Sequence, residues 1–201
     1  MAYLKRSALF GFLLLLSSYA FAQIHIGING GGGINNTVSL RAGIPVEIPL
    51  SGTFSLRSGG MFTQQHNPAI LRKLDPFRDY RRVTINYIGI PLQLQTELPL
   101  RSFSVYALAG PQVNYGISIS TSFLKDGAYG SEHLDFESLR LSRFDIGLNA
   151  GFGVATDIRN NCRLFAEVMF LINFFDIDQN PSEEIYNEGK VFNLGVQFPI
   201  R

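Results

Sequence analysis

Ser131-Glu132-His133 sets a nucleophile, a carboxylate and a base side by side, the residue types of a serine hydrolase. Adjacency in a polar stretch does not bring base and nucleophile together, so the favoured reading is a solvated loop and no enzyme. Asp176, Asp178 and Asn180 have the spacing that opens an EF-hand calcium loop. Pro181 stands where that loop needs glycine, however, and Asn187 where it needs the bidentate glutamate, which leaves only a loose divalent-cation site open. The run Gly30 to Gly33 lacks the Lys-Ser/Thr of a phosphate-binding loop and leads into no helix; it reads as a flexible, strongly curved strand. His25, His66 and His133 fall on separate segments with no zinc spacing. Cys162 is a lone cysteine, so no internal disulfide framework can form. Catalytic residues, metals and cofactors are thus not expected.

Arg41, Glu47, Arg57, Arg143, Asp145 and Glu167 are different, because each stands on the polar side of an alternating segment. The clearest such segment is 103–120. Phe103, Val105, Ala107, Ala109, Pro111, Val113, Tyr115, Ile117 and Ile119 occupy one parity. Ser104, Gly110, Gln112, Asn114, Gly116, Ser118 and Ser120 occupy the other, with Tyr106 and Leu108 as exceptions. Successive strand side chains point to opposite faces, so this is a strand with one apolar and one polar face. Its length, about 17 residues, is about three times the usual five or six.

Period-two patterning predicts eight strands, at roughly 24–34, 37–48, 53–64, 82–97, 102–120, 141–156, 162–175 and 190–200. The connections after the second, fourth and sixth strands are short and turn-like, whereas those after the third, fifth and seventh are long and polar. Such an alternation, with an even number of long antiparallel strands, describes an all-β, eight-stranded antiparallel up-and-down transmembrane β-barrel. In the fourth strand Val83 and Ile85 are apolar on one parity and Ile88, Ile90, Leu92 and Leu94 on the other, and a bulge near Asn86 and Tyr87 is expected to absorb the flip. The six charges then face a lumen just wide enough for side chains to fill, where they should pair as a salt-bridge network.

Residues 1–22 read as a cleaved signal peptide: Lys5 and Arg6 as the charged start, Leu9 to Leu16 as the apolar core, and Ala20-Phe21-Ala22 as the cleavage site. The barrel domain is then 23–201. No later stretch is long and apolar enough for a spanning helix. Without Lys5 and Arg6, 15 basic residues face 16 acidic ones, so the mature chain is close to neutral and nucleic acid is an improbable partner.

Asn86-Tyr87-Ile88-Gly89-Ile90-Pro91-Leu92, the stretch Val105 to Pro111 with Ala109-Gly110-Pro111, and Asp145-Ile146-Gly147-Leu148-Asn149-Ala150-Gly151-Phe152-Gly153 resemble the PorT-like family of small outer-membrane β-barrel proteins. The last strand, Asn193 to Ile200, looks like the C-terminal signal read by the barrel-assembly machinery, although it ends in Ile200-Arg201 and not in an aromatic residue. The resemblance implies a small barrel in the outer membrane of a Gram-negative bacterium, with both termini periplasmic and no catalytic residues to carry over. One member of that family is linked to protein secretion and gliding machinery; the matching motifs are structural and do not transfer that role.

The long loops are the surface left for recognition. Arg72, Lys73, Arg78, Arg81 and Arg82 make the long connection after the third strand basic enough to meet lipopolysaccharide phosphates or an envelope protein partner, while the later loops are acidic and offer internal pairing instead. The expected role is a structural or interaction protein of the envelope with a side-chain-filled lumen. A narrow channel or small-solute binder is the alternative, and a lipid A-modifying hydrolase using Ser131 and His133 is a third reading.

Overall fold

The computed structural model describes residues 23–33, 38–68, 70, 74, 79–125, 128–158, 162–174 and 188–200, so the signal-like segment 1–22 lies outside the described residues. Among the described residues nine strands form: β1 (Ile24–Gly33), β2 (Val38–Ser51), β3 (Phe54–His66), β4 (Asp79–Pro99), β5 (Ser104–Lys125), β6 (Ala128–Leu134), β7 (Phe144–Ile158), β8 (Cys162–Asn173) and β9 (Glu188–Ile200). Every pairing is antiparallel. The ladder between β1 and β9, from Ile24 opposite Ile200 to Gly33 opposite Val191, closes eight of the strands into a barrel. Closure satisfies backbone polar groups without a sheet edge, as a membrane requires. The ninth strand, β6, pairs with the far half of β5 alone, beyond the point where β7 takes over.

The barrel is inside out relative to a soluble one. Ile90, Val113, Phe152 and Leu194 point outward and are about half exposed or more, whereas Asn29, Gln93, Gln95, Gln112 and Asn149 point inward and are buried. A lipocalin-like barrel would show the reverse polarity, so the apolar parity of 103–117 faces lipid.

Three expectations need correction. The polar stretch 121–140 is not a plain loop: β5 continues to Lys125 and returns as β6, a hairpin rising from the barrel wall. The apolar flip in β4 is not a bulge in β4, whose odd-numbered residues from Val83 to Gln95 all stay buried. The irregularity lies on β5 instead, where Asn86 pairs with Ser118 and Tyr87 with Gly116, leaving Ile117 as the extra residue. Ile119 consequently turns inward and is buried. Val83, Ile85, Tyr87 and Ile119 line the inner wall at the end where the long connections lie, and Ile70, Leu74, Phe136 and Leu141 from those connections fold over them into one apolar cluster.

One backbone site accommodates two of the prolines in this sheet, Pro45 and Pro91. Pro45 sits on β2 opposite Gly59, and Pro91 on β4 lies where the β3–β4 ladder skips from Ser58 opposite Leu92 to Met61 opposite Gly89. Neither proline can donate a ladder hydrogen bond. Gly59 absorbs the distortion at φ +136°, where a Cβ would lie 2.1 Å from the Ile44 carbonyl oxygen. Pro111 on β5 pairs with Leu148 on β7 and faces outward.

Candidate functional site: the barrel lumen

Alternation along each strand sends one residue in two into the lumen, and β2, β3, β7 and β8 send charges there. Arg41, Glu47, Arg57, Asp145 and Glu167 are all buried, with 5% exposure or less. Burial at this level demands pairing. Arg57 supplies it as a fork: Nη1 donates to Glu167 Oε2 at 2.6 Å and Nη2 to Oε1 at 3.2 Å. The same carboxylate accepts from Tyr106 Oη at 3.0 Å and from Asn193 Nδ2 at 3.1 Å. The face of Phe165 lies 4.9 Å from the Arg57 guanidinium carbon, adding a cation–π contact. Tyr106 and Leu108, the apolar exceptions on the polar parity of β5, join Phe165, Met169, Leu171 and Val191 in a second buried cluster inside the barrel.

Nearer the turn end, Glu47 accepts from Gln95 Nε2 at 3.2 Å and from Gln197 Nε2 at 3.3 Å. Arg163 closes this end, with Nη2 2.6 Å from Glu97 Oε1 and 3.1 Å from Ser104 Oγ. Further toward the hairpin end, Arg41 Nη2 donates to Gln112 Oε1 at 3.1 Å, and Asn149 Nδ2 donates to the same oxygen. Gln112 in turn donates to Asn114. Gln112, Asn114 and Asn149 border, with Thr63, Gln65 and Tyr87, a cavity of only 10 Å³, about the room one water needs. Polar links therefore cross the lumen at three levels among the described residues, at Glu47, at the Arg57–Glu167 pair and at Arg41.

Arg143 lies elsewhere. It precedes β7, which begins at Phe144, so strand parity does not direct it inward. Its Nη2 reaches Asp135 Oδ1 at 3.1 Å in a half-exposed pair, and its guanidinium carbon sits 4.7 Å from the Phe136 ring centroid. Arg143 thus clamps the segment that carries Phe136 instead of joining the lumen charges.

Ser131 and His133 lie on β6, exposed and two residues apart on one strand face, with Glu132 on the other. The three do not converge as a triad. Arg82 is exposed at the hairpin end, while Arg72, Lys73, Arg78 and the side chain of Arg81 lie outside the described residues, as do Asp176, Asp178 and Asn180. Among the described residues no group of three or more His, Cys, Asp or Glu side chains could hold a metal. What sequence reasoning missed is the neutral part of the network: Tyr106, Gln95, Gln112, Asn149, Asn193 and Gln197 are as involved as the charges. Their inward parity was the available signal.

The family model for the outer membrane protein beta-barrel domain matches residues 17–179. The chain belongs to that family. An outer-membrane barrel accounts for the exposed apolar belt and the buried polar lumen together. Solved structures agree in fold: OprG of Pseudomonas aeruginosa has a TM-score of 0.54 at 13% identity, covering 90% of this chain and 96% of that one. The N-terminal β-barrel domain of Pseudomonas aeruginosa OprF gives 0.50 at 11%, covering 89% and 99%. Neisserial surface protein A gives 0.50 at 13%, covering 88% and 97%. At these identities the likeness is one of fold. None of the curated proteins matches this outer-membrane barrel by sequence.

Proposed function

We propose that this outer-membrane barrel is a structural or interaction protein of the envelope, an accessory to a larger envelope complex, and that its working surface is its long connections and not its lumen. The observation that carries this reading is the Arg57–Glu167 link. β3 and β8 are four strands apart in either direction around the ring, so the pair bars the barrel across its diameter. A bore barred in this way, and capped by the cluster around Phe136 and Ile119, has little room for a passing solute. The pattern of long strands with short connections at one end and long ones at the other supports a topology with both termini in the periplasm.

On this reading the basic stretch Arg72, Lys73, Arg78, Arg81 and Arg82 meets lipopolysaccharide phosphates or an acidic partner. The test reverses Arg78 and Arg81 to Glu and measures association with lipopolysaccharide and with co-purifying envelope proteins across a salt series. Weaker association, with a smaller salt dependence than the parent, is expected. Replacing Ser131 and His133 by Ala should leave association and phenotype unchanged. Loss of function in the Ser131/His133 variant, with the Arg78/Arg81 variant unaffected, would favour a hydrolase instead.

A further inference from the structure

At the hairpin end, one side of the barrel changes chemistry between two neighbouring rows of its outer face. Phe62, Ile88, Tyr115 and Phe144 share a row across β3, β4, β5 and β7 and point outward, with the Tyr115 and Phe144 rings edge to face at 5.1 Å. An aromatic row of this kind marks the edge of the hydrocarbon layer. The next row is Gln64, Asn86 and Ser118, in which Gln64 Nε2 donates to Asn86 Oδ1 at 3.1 Å and Asn86 Nδ2 donates to Ser118 Oγ at 2.9 Å. Beyond it stand His66, Thr84 and Ser120, with His66 Nδ1 3.0 Å from Thr84 Oγ1, and last Arg82 beside Ser122. All the outward residues of these three rows on β3, β4 and β5 are polar. Arg82 is exposed, and none of the ion pairs among the described residues uses its guanidinium. β7 begins at Phe144, in the aromatic row itself, so the wall belongs to β3, β4 and β5, with β6 at its margin.

Height decides which lipid can reach the top of this wall. Arg82 stands six residues beyond Ile88, about 20 Å along the strand and about 15 Å along the membrane normal at the tilt of such barrels. A phospholipid headgroup layer is only about 5–8 Å deep, so it covers the Asn86 row and stops short of Arg82. We infer that this wall binds the oligosaccharide core of a phosphorylated outer-leaflet glycolipid, with Arg82 on a core phosphate and the amide and hydroxyl rows beneath it on sugar hydroxyls. The inference deepens the reading that this end of the barrel meets lipopolysaccharide, and it rests on that reading and on the topology proposed with it. Sugar hydroxyls both donate and accept, as do the Asn86 amide and the Ser118 and Ser120 hydroxyls. The bonds along the Gln64–Asn86–Ser118 row hold those side chains against the strands before a ligand arrives, which lowers the entropy lost on binding.

The mature barrel in detergent, its fold checked by heat-modifiable mobility on gels, would be titrated by surface plasmon resonance with three lipids: lipopolysaccharide carrying a complete phosphorylated core, the deep-rough form lacking most of the core, and phosphatidylglycerol. The complete-core form should bind about tenfold more tightly than the other two. Arg82→Gln should remove that margin and its salt sensitivity while leaving the deep-rough form unchanged. Thr84→Val with Ser120→Val, both suited to a strand, should remove it as well; should that pair fail to fold, Ser120→Val alone gives the same test. Arg78→Glu with Arg81→Glu should weaken both lipopolysaccharide forms and keep the margin between them. If that loop variant changes nothing and Arg82→Gln still removes the margin, the loop contact fails and the wall stands. Equal binding of complete-core and deep-rough forms by the parent, or an unchanged margin in folded Arg82→Gln protein, would overturn the wall.

Discussion

Arg57 and Glu167 stand 110 positions apart in sequence and meet across the full width of the barrel through hydrogen bonds of 2.6 and 3.2 Å. A buried pair of this kind contributes little beyond an apolar pair of equal volume, but removing one partner strands a charge. Glu167→Ala should therefore destabilise the barrel by about 3–5 kcal/mol. Tyr106→Phe, which deletes one hydrogen bond to that carboxylate, should cost about 1.5–3 kcal/mol. The double change Arg57→Met with Glu167→Met should cost much less than Glu167→Ala. Urea unfolding of the three variants in micelles checks the order, and a double variant worse than the single one would contradict the pairing account.

The cap at the hairpin end rests on a close approach. A Cβ on Gly116 would lie 2.4 Å from Phe136 Cζ, so only glycine leaves room for that ring. Gly116→Val should unseat the segment around Phe136, where the amides of Leu139, Arg140 and Leu141 bond to the carbonyls of Asp135, Glu137 and Phe136. Amide exchange in 139–141 should rise at least about tenfold while the barrel strands keep their protection, since segments open locally at lower free energy than the whole fold. Unchanged exchange at these three amides would mean that the cap does not depend on this contact.

Topology is open to direct labelling. In a Cys162→Ser background, Tyr129→Cys places a thiol on the exposed hairpin, where Tyr129 is 83% accessible, and Ser102→Cys places one in an opposite turn. On intact cells an impermeant maleimide should label position 129, with position 102 reacting only after the outer membrane is permeabilised. The reverse pattern would invert the barrel.

How much of this was legible beforehand depends on where each residue sits relative to the bilayer. Within the membrane the two-residue period has one meaning, because lipid outside and a polar lumen inside force every strand to agree; Val105 to Tyr115 therefore read correctly from parity alone. Beyond the membrane the constraint lapses. Tyr129-Gly130-Ser131-Glu132-His133 carries no apolar face and looks like loop, yet it is strand because β5 offers it a ladder. Val83 and Ile85 look like a register slip, yet they face inward because the cap supplies Ile70 and Phe136 for them to pack against. Arg143 fits the inward parity of β7 but lies one residue before the strand begins, where water and Asp135 are within reach. Parity also gave no hint that Arg57 and Glu167 would face each other across the ring, since that depends on how many strands separate them.

If side chains fill the lumen, single-channel recording in planar bilayers reads it as silence. The purified protein should show no steady open-channel current, whereas a variant carrying Arg57→Ala, Glu167→Ala and Phe136→Ala, if it folds, should show intermittent openings as both bar and cap are removed. Large, stable conductance in the unmodified protein would contradict the account and make the barrel a pore.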